Sequence, residues 1–436
     1  KRTGRRTTHI GWWASGNAAQ PTNPLLLKEV YGERSKPEWT ALTTLFPEVV
    51  AGRSTLVSDL SGPLRRDGSR ADWKRAQERV SGWLSRYDFA AGAGEWLLGN
   101  IPEAGLDGLT FAVDFSDVSK VFGGKGMEGM AMGRDGSTGD IRMGHDFICV
   151  SLVGAAYREA LPVYARLGRG RRGHGGMLDE AVAAVMARTG GRGWIVGDRG
   201  MDSARLVVSL KEAGLNAVVR VRDMGRDVFG DGKAVDASMG EAEFVDVMLA
   251  ARTGSRRAQV RWRRGTVRHC EDPGSKDAPT RDAGVLVVES RLGERSLYLY
   301  VVCPDWELSS PRRARLAAER AAQAYCDRWG IETSFYAMKQ EFALEGARVR
   351  TFRRLGNIFA LCALAYVFAT RFLRRSRGFR RILKILSDNL GAVSARTHAL
   401  LAGIRALVGE ARVRLVAGRP RRRPWEDSRQ MLLAGF

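Results

Sequence analysis

Negative charge is what this chain is short of. Its 436 residues hold 48 aspartates and glutamates against 70 lysines and arginines, a formal net charge of +22 and a pI near 10.4. That imbalance points to a polyanionic partner, nucleic acid first and an anionic membrane surface second, with a solvated surface or a genome rich in Arg codons as the plainer alternative. Cysteine is scarce too: Cys149, Cys270, Cys303, Cys326 and Cys362 are odd in number and include no CxxC pair. A zinc ribbon and a disulfide framework are thereby excluded, and a reducing compartment is expected. The five histidines are equally scattered and show no zinc-ligand spacing. Long apolar runs are missing: the best, 358–369, falls short of the roughly 20 residues that cross a bilayer. There is no GxxxxGK[ST] phosphate loop, no internal repeat and no extended low-complexity tract. A soluble, intracellular, basic protein without a membrane partner is the expectation.

What is present suffices for a folded chain. Hydrophobic residues make up 44% and charged ones 27%, and the length allows two to four units with sizeable cores. Residues 1–37 are polar and basic and read as a flexible arm. Residues 38–104 turn helical: Trp73, Ala76, Val80, Trp83 or Leu84, and Tyr87 recur at three- and four-residue steps. Arg65, Arg66, Arg70, Lys74, Arg75 and Arg79 make the polar side, which suits either a DNA-binding domain or a packing domain with a solvated basic face. From 105 to 221 the period changes. Strands are expected at 108–114, 145–153, 161–167, 193–197 and 217–221, with helices at about 178–188 and 203–213, an α/β unit with a mixed sheet. Residues 222–308 break that rhythm: 259–270 alternates with strand period, 284–289 and 296–303 read as strands, and the whole reads as a β-rich insertion. A helix restarts at Ser309 with Pro311 in its first turn, and helical character continues through 309–370 into a basic region and tail, 371–436.

Two patterns carry candidate chemistry. Gly168, Gly170 and Gly173 spell GxGxxG, but every intervening residue is arginine and 51 glycines make chance matches expected. A basic phosphate-contacting loop fits them better than a dinucleotide turn. The carboxylates say more. Asp114 closes one expected strand and Asp198 closes another, and strand ends on one sheet edge are where α/β sites gather. Taken singly, each also suits a turn or a helix cap. A third acid would complete a site for two divalent cations. Glu332 supplies it: Tyr325, Arg328, Glu332 and Lys339 stand at offsets 0, +3, +7 and +14, within roughly a 60° arc of an α-helix. Phenol, guanidinium, carboxylate and ammonium in one stripe suit a metal ligand flanked by phosphate contacts; a solvated, ion-paired helix face is the plainer alternative.

The run from Tyr325 through Arg328 and Glu332 to Lys339 resembles the Y-x2-R-x3-E-x6-K signature of bacterial insertion-sequence DDE transposases. Asp114-Phe-Ser resembles that family's first acidic motif, and Gly197-Asp198-Arg199-Gly200 its second. The resemblance spans about 105–370, and it implies an α/β RNase H-like catalytic core with a β-rich insertion, flanked by N-terminal and C-terminal helical regions. It further implies that Asp114, Asp198 and Glu332 hold two Mg²⁺ or Mn²⁺ ions, and that Tyr325, Arg328, Lys339 and Arg199 contact DNA. Tyr298, Tyr300 and Trp306 are the candidates for stacking a flipped base. The implied activity is cut-and-paste transposition: cleavage at element ends through hairpins, then strand transfer into target DNA. The implied partners are double-stranded DNA and a second copy of the chain, and the implied place is the bacterial cytoplasm at the nucleoid. A nuclease of the same fold that does not join, and an idle DNA-binding relic, are the alternatives. Tyr336 departs from the pattern where many members carry a basic residue, and Gly330 interrupts the helix.

Overall fold

The computed structural model describes residues 23–372 except 51–53, 121–125, 135–138, 155–156, 158, 170–173, 241, 252–253, 273–277 and 305–307. The expected C-terminal basic region beyond residue 372 lies outside the described residues, as do Gly170, Gly173 and Trp306.

Five helices come first: α1 (Asn23–Tyr31), α2 (Lys36–Val50), α3 (Val57–Leu60), α4 (Arg70–Arg86) and α5 (Phe89–Gly99). The expected arm therefore differs in its second half. Asn23–Tyr31 is helical because Leu26 and Leu27 have an apolar surface to meet, and both are fully buried. Helix α4 begins where Ser69 Oγ accepts from the Asp72 N–H, while the Asp72 carboxylate accepts from the Arg66 and Asp67 N–H groups. It buries Ala76, Val80 and Leu84 as the periodicity requires. Trp73 leaves the expected apolar stripe, 41% exposed, with the Arg65 guanidinium 3.6 Å over its ring.

The strands and remaining helices follow in the order β1 (Thr110–Ser119), β2 (Ala131–Arg134), β3 (Ile141–Val153), β4 (Leu161–Leu167), α6 (His174–Thr189), β5 (Trp194–Gly197), α7 (Ala204–Glu212), β6 (Asn216–Arg220), α8 (Val235–Ser238), β7 (Val245–Ala251), β8 (Gly254–Cys270), β9 (Thr280–Leu292), β10 (Arg295–Val302), α9 (Pro311–Arg328), α10 (Gly330–Tyr336) and α11 (Phe352–Val367). One mixed sheet runs β2-β3-β1-β5-β6-β10-β9-β8-β7, with β4 also pairing β3. Strand β1 is antiparallel to β3 and parallel to β5, and β5 is parallel to β6. The central strands β5 and β6 are nearly continuous apolar runs, as parallel strands covered on both faces must be. Residues 222–308 extend this sheet. Strand β10 pairs antiparallel with β6 at Val302↔Ala217, and β9, β8 and β7 follow outward. Strand β7, at Val245–Ala251, adds an edge to the three strands expected in this stretch. Helix α9 is capped by Ser310, one residue after the expected Ser309: Ser310 Oγ accepts from the Arg313 N–H at 3.3 Å, with Pro311 as the first helical residue. It crosses β7–β10, β6, β5 and β1 on one face of the sheet.

The apolar run at 358–369 fills the last part of α11 and runs two residues past it, and every residue of it is buried. Phe352–Arg371 is long and apolar enough to cross a membrane by length and composition, and 78% of its most apolar 18-residue window is buried inside the protein, where α11 packs against α2, α4, α5 and β4. Helix α11 joins the N-terminal helices to the sheet in one continuous apolar cluster. At that junction stands Asn357, 1% exposed. Its Oδ1 accepts from the Phe89 and Ala90 N–H groups, and its Nδ2 donates to the Leu84 and Tyr87 carbonyls. One amide thus satisfies the end of α4 and the start of α5. Replacing it by alanine takes this partner from four backbone groups, two buried and two part-buried, a cost of roughly 3 kcal/mol and of order 5 °C in the midpoint of a thermal melt. A melt unchanged in Asn357→Ala would show that the α4–α5 junction is held by something else.

Candidate active site

The register of the parallel ladder sets the site. Val113 on β1 is opposite Gly197 on β5, the last pair of that ladder. The next residue on each strand is an aspartate, so Asp114 and Asp198 sit at the same level on neighbouring strands, whose axes lie about 4.8 Å apart. The expected strand end holds for β5. It does not hold for β1, which continues past Asp114 to Ser119 because it still pairs with β3. Asp114 is at the end of one ladder and in the middle of another. Gly197 has no room for a side chain, since a Cβ there would run into Met201 Sδ. Asp198 then turns the chain into the short helical turn Arg199–Met201, its Oδ1 accepting from the Gly200 N–H at 2.7 Å. Arg199 projects from this turn and is exposed.

Helix α9 brings the other charges. At its last residue, Arg328 Nη1 donates to Asp114 Oδ2 at 2.6 Å and lies 3.6 Å from Glu332 Oε1. The Tyr325 ring lies 5.3 Å from the same guanidinium, and the Tyr325 hydroxyl accepts from Arg220 Nη1 at 3.3 Å. Asp114, Asp198, Glu332, Arg328 and Tyr325 are therefore one electrostatic neighbourhood. The Asp114 carboxyl shows it: burial pushes it up to about 7, the charge of Asp198 adds to the rise, Arg328 opposes it, Glu332 raises it again, and the Phe115 N–H on Oδ1 opposes it.

The helical stripe does not run to its fourth member. The helix breaks at Trp329 and Gly330, α10 ends at Tyr336, and Ala337–Glu341 widens to π geometry. A uniform 100° step no longer applies. Lys339 points to Asp117 at 3.3 Å and Glu345 at 3.4 Å instead of to the three acids. Asp202 is a structural acid: its buried carboxylate accepts from the Arg222 and Asp223 N–H groups and pairs with Arg226 at 2.6 Å. Tyr300 leaves the set of stacking candidates because it is fully buried under that same Arg226. Tyr298 is half-buried on the β10 face beside Glu289.

Trp329 is 70% exposed. It lines a cavity of about 460 Å³ with Gly154, Arg256, Asp327 and Thr333. Its signal in the sequence was its place between Arg328 and Gly330, where the helix stops and a bulky side chain faces outward.

The raised Asp114 carboxyl has a direct check. At pH 6 it is mostly protonated and above pH 8 mostly charged, so a ¹³C-carboxyl aspartate titration has one midpoint near 7. Because Glu332 raises it, Glu332→Gln moves that midpoint down toward the ordinary carboxylate range; an unmoved midpoint would separate the two groups electrostatically.

Comparison with known families agrees with this geometry. No curated protein matches the chain. Residues 161–368 match a family model described as "Transposase DDE domain", a stretch that contains Asp198, Tyr325, Arg328, Glu332 and Lys339 and begins after Asp114. Over 161–368, which takes in β4 to β10 and the helical segment bearing Glu332, the chain is similar to that transposase domain.

Proposed function

We propose that the protein cleaves DNA at the ends of a mobile element and joins the freed 3′-OH to target DNA by direct phosphoryl transfer. The observation that carries this is the Val113↔Gly197 register, which sets two aspartates side by side near Arg328 at the end of α9 and Glu332 at the start of α10. An RNase H-like core is the reading supported by the order β4-β3-β1-β5-β6, antiparallel on one side of β1 and parallel on the other.

Asp114, Asp198 and Glu332 are the residues that would hold Mg²⁺ or Mn²⁺, two ions in all. Their oxygen-only chemistry suits hard cations, and Asp114, pushed up first by burial and then by the charge of Asp198, sits where a bound cation would favour the charged carboxylate. Among the described residues no three Asp, Glu, His or Cys side chains stand close enough to share one ion as they are. Glu332, with 41% of its side chain exposed, has rotamer room to approach. When bound, the ions supply activation of an attacking oxygen and stabilisation of a leaving one. Asp198, held by Gly200, keeps one carboxylate oxygen aimed without entropy loss. Arg328, Tyr325 and Arg199 bind and orient the scissile phosphate, with Lys339 contacting backbone further along the strand. Trp329, exposed beside Arg328, offers a stacking face to an unpaired base, alongside Tyr298 and Trp306. Two element ends require two copies of the chain, acting on DNA in the bacterial cytoplasm at the nucleoid; hairpin ends are the intermediate this reading favours.

Alanine at Asp114, Asp198 or Glu332 should reduce Mg²⁺-dependent cleavage of DNA bearing the element's flanking ends by about a thousandfold or more, with binding in a gel shift changed by less than about threefold. Cuts without joined products from the wild type would convert the reading to a nuclease. A shifted band with no cutting would convert it to a relic that only binds.

Helix α4 is proposed as a duplex-docking element. Arg66, Arg70, Lys74, Arg75 and Arg79 are exposed along it, and the Arg65–Trp73 stack lies beside them. If Arg70 and Arg75 meet phosphates, their double alanine variant weakens binding equally for all sequences. It also flattens the slope of log affinity against log salt by about 1.8. An unchanged slope would assign α4 to packing.

A further inference from the structure

We propose that Arg328 is an internal counter-ion that keeps divalent cations off Asp114 until a DNA phosphate draws the guanidinium away, so that DNA and metal bind with positive coupling. The inference rests on the transposase reading of this site and concerns its regulation.

Asp114 has two carboxylate oxygens to offer a ligand. Its Oδ1 is committed to the Phe115 N–H at 2.8 Å. Oδ2 is the atom remaining for a cation, and Arg328 Nη1 is on it at 2.6 Å. The same nitrogen is 3.6 Å from Glu332 Oε1, so one guanidinium engages two of the three acids. Metal ligation by Asp114 and the Arg328 pair compete for one oxygen.

Arg328 is also incompletely satisfied. It is 7% exposed, and its Nε has no hydrogen-bond partner among the described residues. A planar guanidinium with an idle donor is suited to a bidentate phosphate oxygen pair, which would satisfy two of its nitrogens together. Transfer of Arg328 from carboxylate to phosphate breaks its ion pairs with Asp114 and Glu332, forms one with DNA, and uncovers Asp114 Oδ2 and Glu332 together. By linkage, whatever DNA gains in metal affinity, metal returns in DNA affinity. The device protects the chain from cutting without a substrate, because the acids acquire their cation only once phosphate is in place.

The test measures Mn²⁺ binding to the full chain by the loss of its free-ion EPR signal, with and without a duplex carrying the element's end. Wild type should bind Mn²⁺ about tenfold more tightly with duplex than without. Arg328→Gln should reach the tighter value without DNA and respond little to duplex. Arg220→Gln removes an equal charge that contacts Tyr325 rather than Asp114, and should stay within about threefold of wild type. Equal affinity of the wild type with and without duplex would overturn the proposal, as would an equal gain in Arg220→Gln, which would make the effect one of bulk charge. Should Arg328→Gln fail to fold, Arg328→Lys, with its charge kept and its reach shortened, is expected to fall between the two, and the wild-type comparison stands alone in any case. Mn²⁺ bound as well by Asp114→Asn as by wild type would instead remove the acids as the site, a failure of the transposase reading itself.

Discussion

Parallel pairing of β1 with β5 is the constraint from which the site follows. The two strands are joined by a long excursion through β2, β3, β4 and α6, yet their ladder brings Val113 and Gly197 opposite one another and leaves an aspartate next on each. A one-residue slip would turn one carboxylate to the other face of the sheet, and the site would be lost without any contact to the third acid. Gly197 protects the register locally, since Met201 occupies the space where a side chain would lie. Helix α9 depends on the same sheet. It packs across both the core strands and the β7–β10 extension, so the insertion serves as a shelf that aims the helix end at Asp114.

Burying charge is costly, and the protein meets the cost differently at its two buried aspartate–arginine pairs. Asp202 is saturated: two backbone N–H groups and Arg226 account for its carboxylate, and Tyr300 lies against the guanidinium. Such a pair holds the loop after β6 to the turn after Asp198 and has no capacity left for a ligand. Asp114 has a single backbone donor, one arginine, and two neighbouring acids that push against it. Its environment is incomplete in the way that structural pairs are not, and perturbed groups of this kind collect at functional sites.

Beyond the site, the buried Lys120 shows how the same economy holds the end of the helical segment that carries Glu332. Its Nζ donates to the carbonyls of Leu344, Glu345 and Ala347, closing the turn after the π segment, where Ala343 adopts a left-handed conformation at φ 52°. Thr55 bonds the Ala343 carbonyl from the N-terminal helices. The N-terminal region is thus tied to the helix that carries Glu332 and Lys339.

Local pattern made much of this legible. The strands at 161–167, 193–197 and 217–221 were readable because buried strands are short apolar runs bounded by turns. Where the reading erred, a longer-range contact overrode the local rule. Leu26 and Leu27 are helical because apolar neighbours await them; Tyr300 is core because Arg226 and Asp202 lie against it; Lys339 left its stripe because the helix breaks and rewinds before reaching it. The sequence by itself determined the charge, the acid types and the order of elements, since these follow from composition and from periods of two and 3.6 residues. Only the tertiary structure decided which acids meet, which arginine stands between them and which aromatic ring faces outward, because those depend on strand register and helix phase summed over hundreds of residues.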